Sequence, residues 1–149
     1  MRTAILFLMA GTLAACGQDA ERSIATEEPI TAEDIRESAV AGEAAAQSKP
    51  QHGFRVYPGA KVTASILNGL TLIVETDASD RELAAFYTRE LQRLGWTEIS
   101  ETEGETNGSI MLEGRKPSES GAFMAVGISK STERDRVFAL SFIRAEIGD

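Results

Sequence analysis

Ser79-Asp80-Arg81-Glu82-Leu83-Ala84-Ala85-Phe86-Tyr87-Thr88-Arg89-Glu90-Leu91-Gln92-Arg93-Leu94-Gly95-Trp96 carries its own start, its own stop and one apolar stripe. Ser79 and Glu82 have the spacing of a capping box, in which each side chain bonds an amide that a helix start leaves unpaired. Asp80 and Glu82 fall in the first turn and Arg93 in the last, which suits the helix dipole at both ends. Leu83, Phe86, Tyr87, Leu91 and Leu94 recur at helical spacing and share one side. Gly95 fits the left-handed position just past a helix end, so that Trp96 can fold back on Leu91. An amphipathic helix of this kind needs an apolar surface to cover, and its neighbours supply one.

Those neighbours read as strands. Residues 61–67 and 70–75 alternate in polarity and flank Asn68-Gly69, a pair that tolerates positive φ and marks a hairpin. After the helix come strands over 97–101, 109–115, 122–129 and 136–144, separated by short turn-rich links. Such links join antiparallel neighbours, because a parallel return needs a dozen or more residues. The order is β-β-α-β-β-β-β, an α+β fold with an antiparallel sheet and one amphipathic helix packed on one face. Residues 53–57 are expected to add an edge pairing before the Pro58-Gly59 turn. In the last strands Phe138, Leu140 and Phe142 oppose Val137, Ala139 and Ile143, and both sets are apolar. One helix covers one face, which leaves the second face more apolar than water favours. Either a further layer or strong curvature buries it, or it is a surface for a partner or apolar ligand.

The N-terminus gives an address. Met1-Arg2-Thr3 is a short positive region, residues 4–10 are wholly apolar, and small residues lead to Leu13-Ala14-Ala15-Cys16. The apolar run is far shorter than the ~20 residues a membrane span needs, and its layout is that of an export signal. Leu-Ala-Ala-Cys resembles the lipobox of bacterial lipoproteins. The resemblance implies that residues 1–15 are removed, that Cys16 is lipidated, and that the protein is held to a membrane by that anchor. It also gives the chain's only cysteine a role, since an odd thiol in an exported protein calls for one. Gly17 follows Cys16 where inner-membrane lipoproteins carry aspartate, which implies the inner leaflet of the outer membrane, facing the periplasm.

Residues 16–51 read as a flexible acidic linker and 52–149 as the folded domain. Between 17 and 50 there are 8 acidic and 3 basic residues and no aromatic, too little apolar surface to offset ordering entropy. About 35 flexible residues span roughly 30–35 Å on average. Thr31-Ala32-Glu33-Asp34 is a helix-capping pattern at the head of an alanine-rich stretch, expected either to fray or to dock on a partner. The net charge of −8 and the lack of any Lys/Arg cluster argue against nucleic acid and against electrostatic docking on anionic lipid.

Within the domain, Val56-Tyr57-Pro58-Gly59-Ala60, Thr76-Asp77, Phe86-Tyr87, Leu91 and Gly95-Trp96 resemble a pattern of uncharacterised bacterial envelope lipoproteins. The arrangement is also similar to helix-on-sheet modules in lipoproteins of the outer-membrane β-barrel assembly machinery. These motifs are a turn, a helix face and a helix stop, so the resemblance implies fold and envelope location. An envelope protein is the expected partner.

Chemistry is sparse. The sole histidine, His52, sits in Pro50-Gln51-His52-Gly53 at the domain's edge. No Ser lies in a G-x-S-x-G elbow, and there is no phosphate loop, C-x-x-C or EF-hand spacing. Asp77 and Asp80 flank the helix start, where capping explains them. No catalytic residue, metal site or cofactor is expected; Cys16 alone carries a chemical role. Replacing Cys16 with Ser should leave an uncleaved, unlipidated precursor, visible as a mass increase and as loss from the membrane fraction; normal processing of that variant would refute the lipobox.

Overall fold

The computed structural model describes residues 31–105, 108–118 and 121–146, so the signal segment and Cys16 lie outside the described residues. Helix α2, Asp80–Arg93, starts and stops as its ends dictate. Ser79 Oγ accepts from the Glu82 amide at 3.2 Å while the Ser79 amide donates to Glu82 Oε2 at 2.8 Å. At the other end Gly95 takes φ 83°, and the Trp96 and Gly95 amides donate to the Leu91 and Gln92 carbonyls. This is a Schellman closure, and it turns the Trp96 ring into the core.

Seven strands form one antiparallel sheet. They are β1 Val40–Ala41, β2 Lys61–Ile66, β3 Thr71–Glu75, β4 Thr97–Glu103, β5 Ser109–Arg115, β6 Ala122–Lys130 and β7 Val137–Glu146. The spatial order is β1-β2-β3-β7-β6-β5-β4. Because four antiparallel steps separate β3 from β4, the two run in the same direction. The chain leaves the middle of the sheet, crosses it as α2, and returns at the far edge. Strands β4 to β7 then fold back as a meander until β7 pairs with β3, with Leu72 opposite Leu140 and Val74 opposite Phe138.

The inner face carries Leu72, Val74, Leu112, Met124, Val126, Ile128, Phe138, Leu140 and Phe142, all buried. From the other side Leu83, Ala84, Tyr87 and Leu91 of α2 meet it over β4, β5 and β6. Gly114 makes the closest approach possible: a Cβ there would lie 2.9 Å from the Trp96 Cβ and 3.5 Å from a Leu91 methyl.

One helix is too narrow for seven strands, and the rest of the inner layer comes from residues 45–54, at the end of a segment that docks from residue 31. Helix α1, Ala32–Ser38, is capped by Thr31 and Asp34 and buries nothing of its own. After it, Val40 and Ala41 pair with Ser65 and Ala64, Ala45 is fully buried, and Phe54 stacks 5.0 Å from Phe142. The linker expected through residue 51 is therefore docked on the domain from residue 31 onward. The edge pairing expected from residues 53–57 is made instead by Val40–Ala41, because Phe54 turns inward.

The β2–β3 link also differs from a two-residue Asn68-Gly69 hairpin. Leu67 joins Asn68 and Gly69 at positive φ, and Ile66 pairs with Thr71 across a wider turn. The docked segment explains it. Gln51 Nε2 donates to the Leu67 carbonyl at 2.8 Å, and the Lys49 carbonyl packs where any Gly69 side chain would be.

Gly114→Ala should lower unfolding free energy by about 1–3 kcal/mol, since neither Trp96 Cβ nor the β5 backbone can retreat. A urea titration that shows no loss would mean the helix sits looser on the sheet than this contact requires.

Candidate functional site

Three features hold most of the polar or open surface near the core. The first is an ion cluster on the hidden side of α2. Glu90 lies in the apolar stripe, three residues after Tyr87, and is 1% exposed. Its carboxylate accepts from the Arg55 guanidinium, from Arg93 Nη2 at 2.7 Å and from the Arg55 backbone amide at 3.2 Å. Hydrogen bonds from Arg55 foremost, against the cost of burial, pull its pKa from 4.5 down to about 2. Arg93 Nη2 also reaches the Gly53 carbonyl at 2.7 Å. The cluster clamps the docked segment to the helix; both arginines stay partly exposed, and nothing in it resembles an acid–base pair. Sequence reasoning left Glu90 out of the helix face, although its i+3 spacing to Tyr87 and Arg93 was the available signal.

Beside it, Tyr87 is buried in an aromatic chain. Phe86 lies 5.0 Å edge-on to Tyr87, Tyr57 lies 5.2 Å from Phe86, and Phe142 lies 5.5 Å from Tyr87. The Tyr87 hydroxyl has no hydrogen-bond partner of ordinary geometry. Burial pushes its pKa well above the usual phenol range, with the Tyr57 backbone pulling the other way. These rings fill the layer between helix and sheet, the place where a ligand enclosed by the two would have to lie.

The second feature is an open cleft at the start of α2, about 330 Å³, where the sequence motif converges. Tyr57-Pro58-Gly59 turns there, with the Ala60 amide donating to the Tyr57 carbonyl and Gly59 at φ 82°. Thr76 is buried, its amide donating to the Arg136 carbonyl and its hydroxyl accepting from the Ala78 amide at 3.2 Å. Asp77 pairs with Arg136, and Asp80 accepts from the Arg81 amide. Ser79 and Glu82 already occupy the helix start. Each carboxylate has a structural partner, so the cleft is a joint between turn, strand end and helix.

The third feature is the outer face of the sheet. Its two middle strands present small residues: Gly127 beside Ser141, Ala125 beside Ile143, Ser129 beside Ala139. Around them stand Met111, 39% exposed, and Ile143, 44% exposed, with Phe123, Val137 and Ile73 half-buried. The Met111 methyl leans over Gly127. Where the β6–β7 turn overhangs this face, an open pocket of about 330 Å³ has Ile73, Val137 and Ala139 as its floor and Lys130 and Arg134 at its rim. The second apolar face read from the sequence is thus present and partly exposed to solvent.

Cys16, the expected lipidation site, lies outside the described residues. His52 is exposed, in the left-handed region at φ 58°, and burial with the nearby positive Arg144 lowers its pKa. No group of three or more His, Cys, Asp or Glu among the described residues is placed to hold a metal ion. No described helix is long and apolar enough to cross a membrane.

Residues 56–133, just over half the chain, match the family model of START domain-like proteins, and the chain belongs to that family. The match takes in the Tyr57-Pro58-Gly59-Ala60 turn, α2 and strands β2 to β6. No curated protein and no solved structure matches the chain.

Glu90→Gln should lower stability at neutral pH by about 2 kcal/mol, the scale of a lost hydrogen bond to a charged group. Because the folded pKa is depressed, the wild-type advantage is full above pH 4.5 and fades as pH falls toward 2. Urea unfolding of both proteins between pH 7 and pH 2.5 checks it, and a gap that stays constant across that range would refute the clamp.

Proposed function

We propose that this chain is an envelope lipoprotein, anchored through Cys16 to the inner leaflet of the outer membrane, whose START domain-like domain is a non-enzymatic binding module. The surface offered to the partner, an envelope protein, is the outer face of the sheet. One observation carries this reading: Met111 and Ile143 stand exposed on a face whose middle is lined by small residues. Apolar side chains clustered this way on a two-layer domain mark an interaction surface. The open sheet edges serve less well, since β4 is strongly acidic and β1 covers β2.

A second reading has its own support. START domain-like membership fits a ligand-binding fold, and the pocket over Ile73, Val137 and Ala139 is of ligand size. In that case the domain carries or senses a small apolar molecule on the outer face, the helix–sheet layer being filled by Phe54, Tyr87 and Phe142.

Proximity crosslinking in intact cells, with wild type and a Met111→Lys/Ile143→Lys pair compared, separates the two. A dominant envelope protein attached to wild type and lost from the pair is the expected result. An unchanged partner would move the contact off this face. No partner, together with a small molecule retained by the purified domain in native mass spectrometry, would establish the second reading.

A further inference from the structure

The two edges of the sheet are protected by different means. Strand β4 protects itself: Glu98, Glu101 and Glu103 are exposed, Arg81 holds the last two, and Glu98 at φ 48° sits in an irregular register with β5. Charge and a bulge are the usual means of keeping an edge from pairing with another chain.

Strand β2 has a bulge at Thr63 and one charge, Lys61 at its start. Beyond Lys61 it reads Val62-Thr63-Ala64-Ser65-Ile66, uncharged and rich in β-branched side chains, which suit a pleated edge. Its cover is the chain's own residues 38–42. Val40 pairs with Ser65 and Ala41 with Ala64, the Gly42 amide donates to the Thr63 carbonyl at 3.0 Å, and the Leu67 amide donates to Ser38 Oγ at 3.2 Å. Neither α1 nor β1 buries a residue. Ala45, a single methyl group in the core, is the nearest buried anchor. The cover is therefore made almost entirely of backbone hydrogen bonds at the surface, the part of a fold that opens at least cost.

We propose that residues 38–42 are a releasable guard, and that the β2 edge they cover is a pairing site for the same edge of a second copy of this chain. A second copy fits because the strand is self-compatible. Turned antiparallel on itself about its middle, Val62 meets Ser65 and Thr63 meets Ala64, with no like charges opposite. The β4 edge set against its own copy would gather three glutamates from each chain into one ribbon. The bulge at Thr63 shortens the β2 template, so the contact is reversible. Main-chain hydrogen bonds hold it, and continuation of the inner apolar face sets its register.

The test is the mass of the full chain in solution, carrying Cys16→Ser so that no lipid or thiol contributes. Gly42→Pro removes the amide that bonds Thr63 and cannot adopt the φ of +65° found there. With the guard in place the protein should sediment as one copy, and with Gly42→Pro its mass should double as concentration rises. Adding Ser65→Pro, which spoils the edge itself, should return the mass to one copy. If Gly42→Pro does not melt cooperatively, Val40→Pro/Ala41→Pro releases the same guard with the Gly42 backbone intact and carries the same expectation. A folded guard variant that stays single at every concentration, or a doubled mass that survives Ser65→Pro, would overturn the proposal.

Discussion

The constraint behind this structure is a mismatch of width. Helix α2 spans three strands of a seven-stranded sheet, yet the inner face stays apolar as far as β2. An apolar face left half open would cost more than the rest of the domain recovers, so a second cover is required. Residues 45–54 supply it, with Ala45 and Phe54 set into the same core as Leu72 and Phe142. Glu90 then locks the two covers together, since it reaches from α2 to Arg55, 35 residues earlier in the chain. Helix, sheet and residues 45–54 thereby share one core.

Much of this was legible in the residues. The capping box at Ser79, the glycine stop at Gly95 and the alternation of the strands are local signals, and each acts through its own backbone. What the sequence concealed is non-local. Ahead of Phe54 the docked segment shows little apolar surface, because beyond the Ala45 methyl it is held by polar groups: the Gly42 amide, Ser38 Oγ and the Gln51 side-chain amide. Composition carries no trace of such contacts. Glu90 was hidden for the opposite reason, because a charged residue on a surface helix reads as solvated until its distant arginine is known.

The candidate surface divides along the same line. Alternation in β7 puts Phe138, Leu140 and Phe142 on one face and Val137, Ala139 and Ile143 on the other, so two apolar faces could be read from sequence. Which face the helix takes depends on bulk. Phe142 packs against Tyr87, with Phe138 and Leu140 in the same core, while the outer set, beside Gly127 and Ser141, is less bulky.

The docking of residues 31–54 also bears on the anchor proposed at Cys16. With Cys16 lipidated as proposed, 14 residues lie between it and Thr31, a contour of about 50 Å at full stretch. Free to the domain boundary expected from sequence, the tether would have reached more than twice as far. The shorter tether would hold the domain to a smaller radius of action. The described chain enters through α1 and then β1, so the proposed tether would join the domain on the side of the guarded β2 edge. A pull on the proposed anchor would pass through α1 and residues 38–42 before it reached the core.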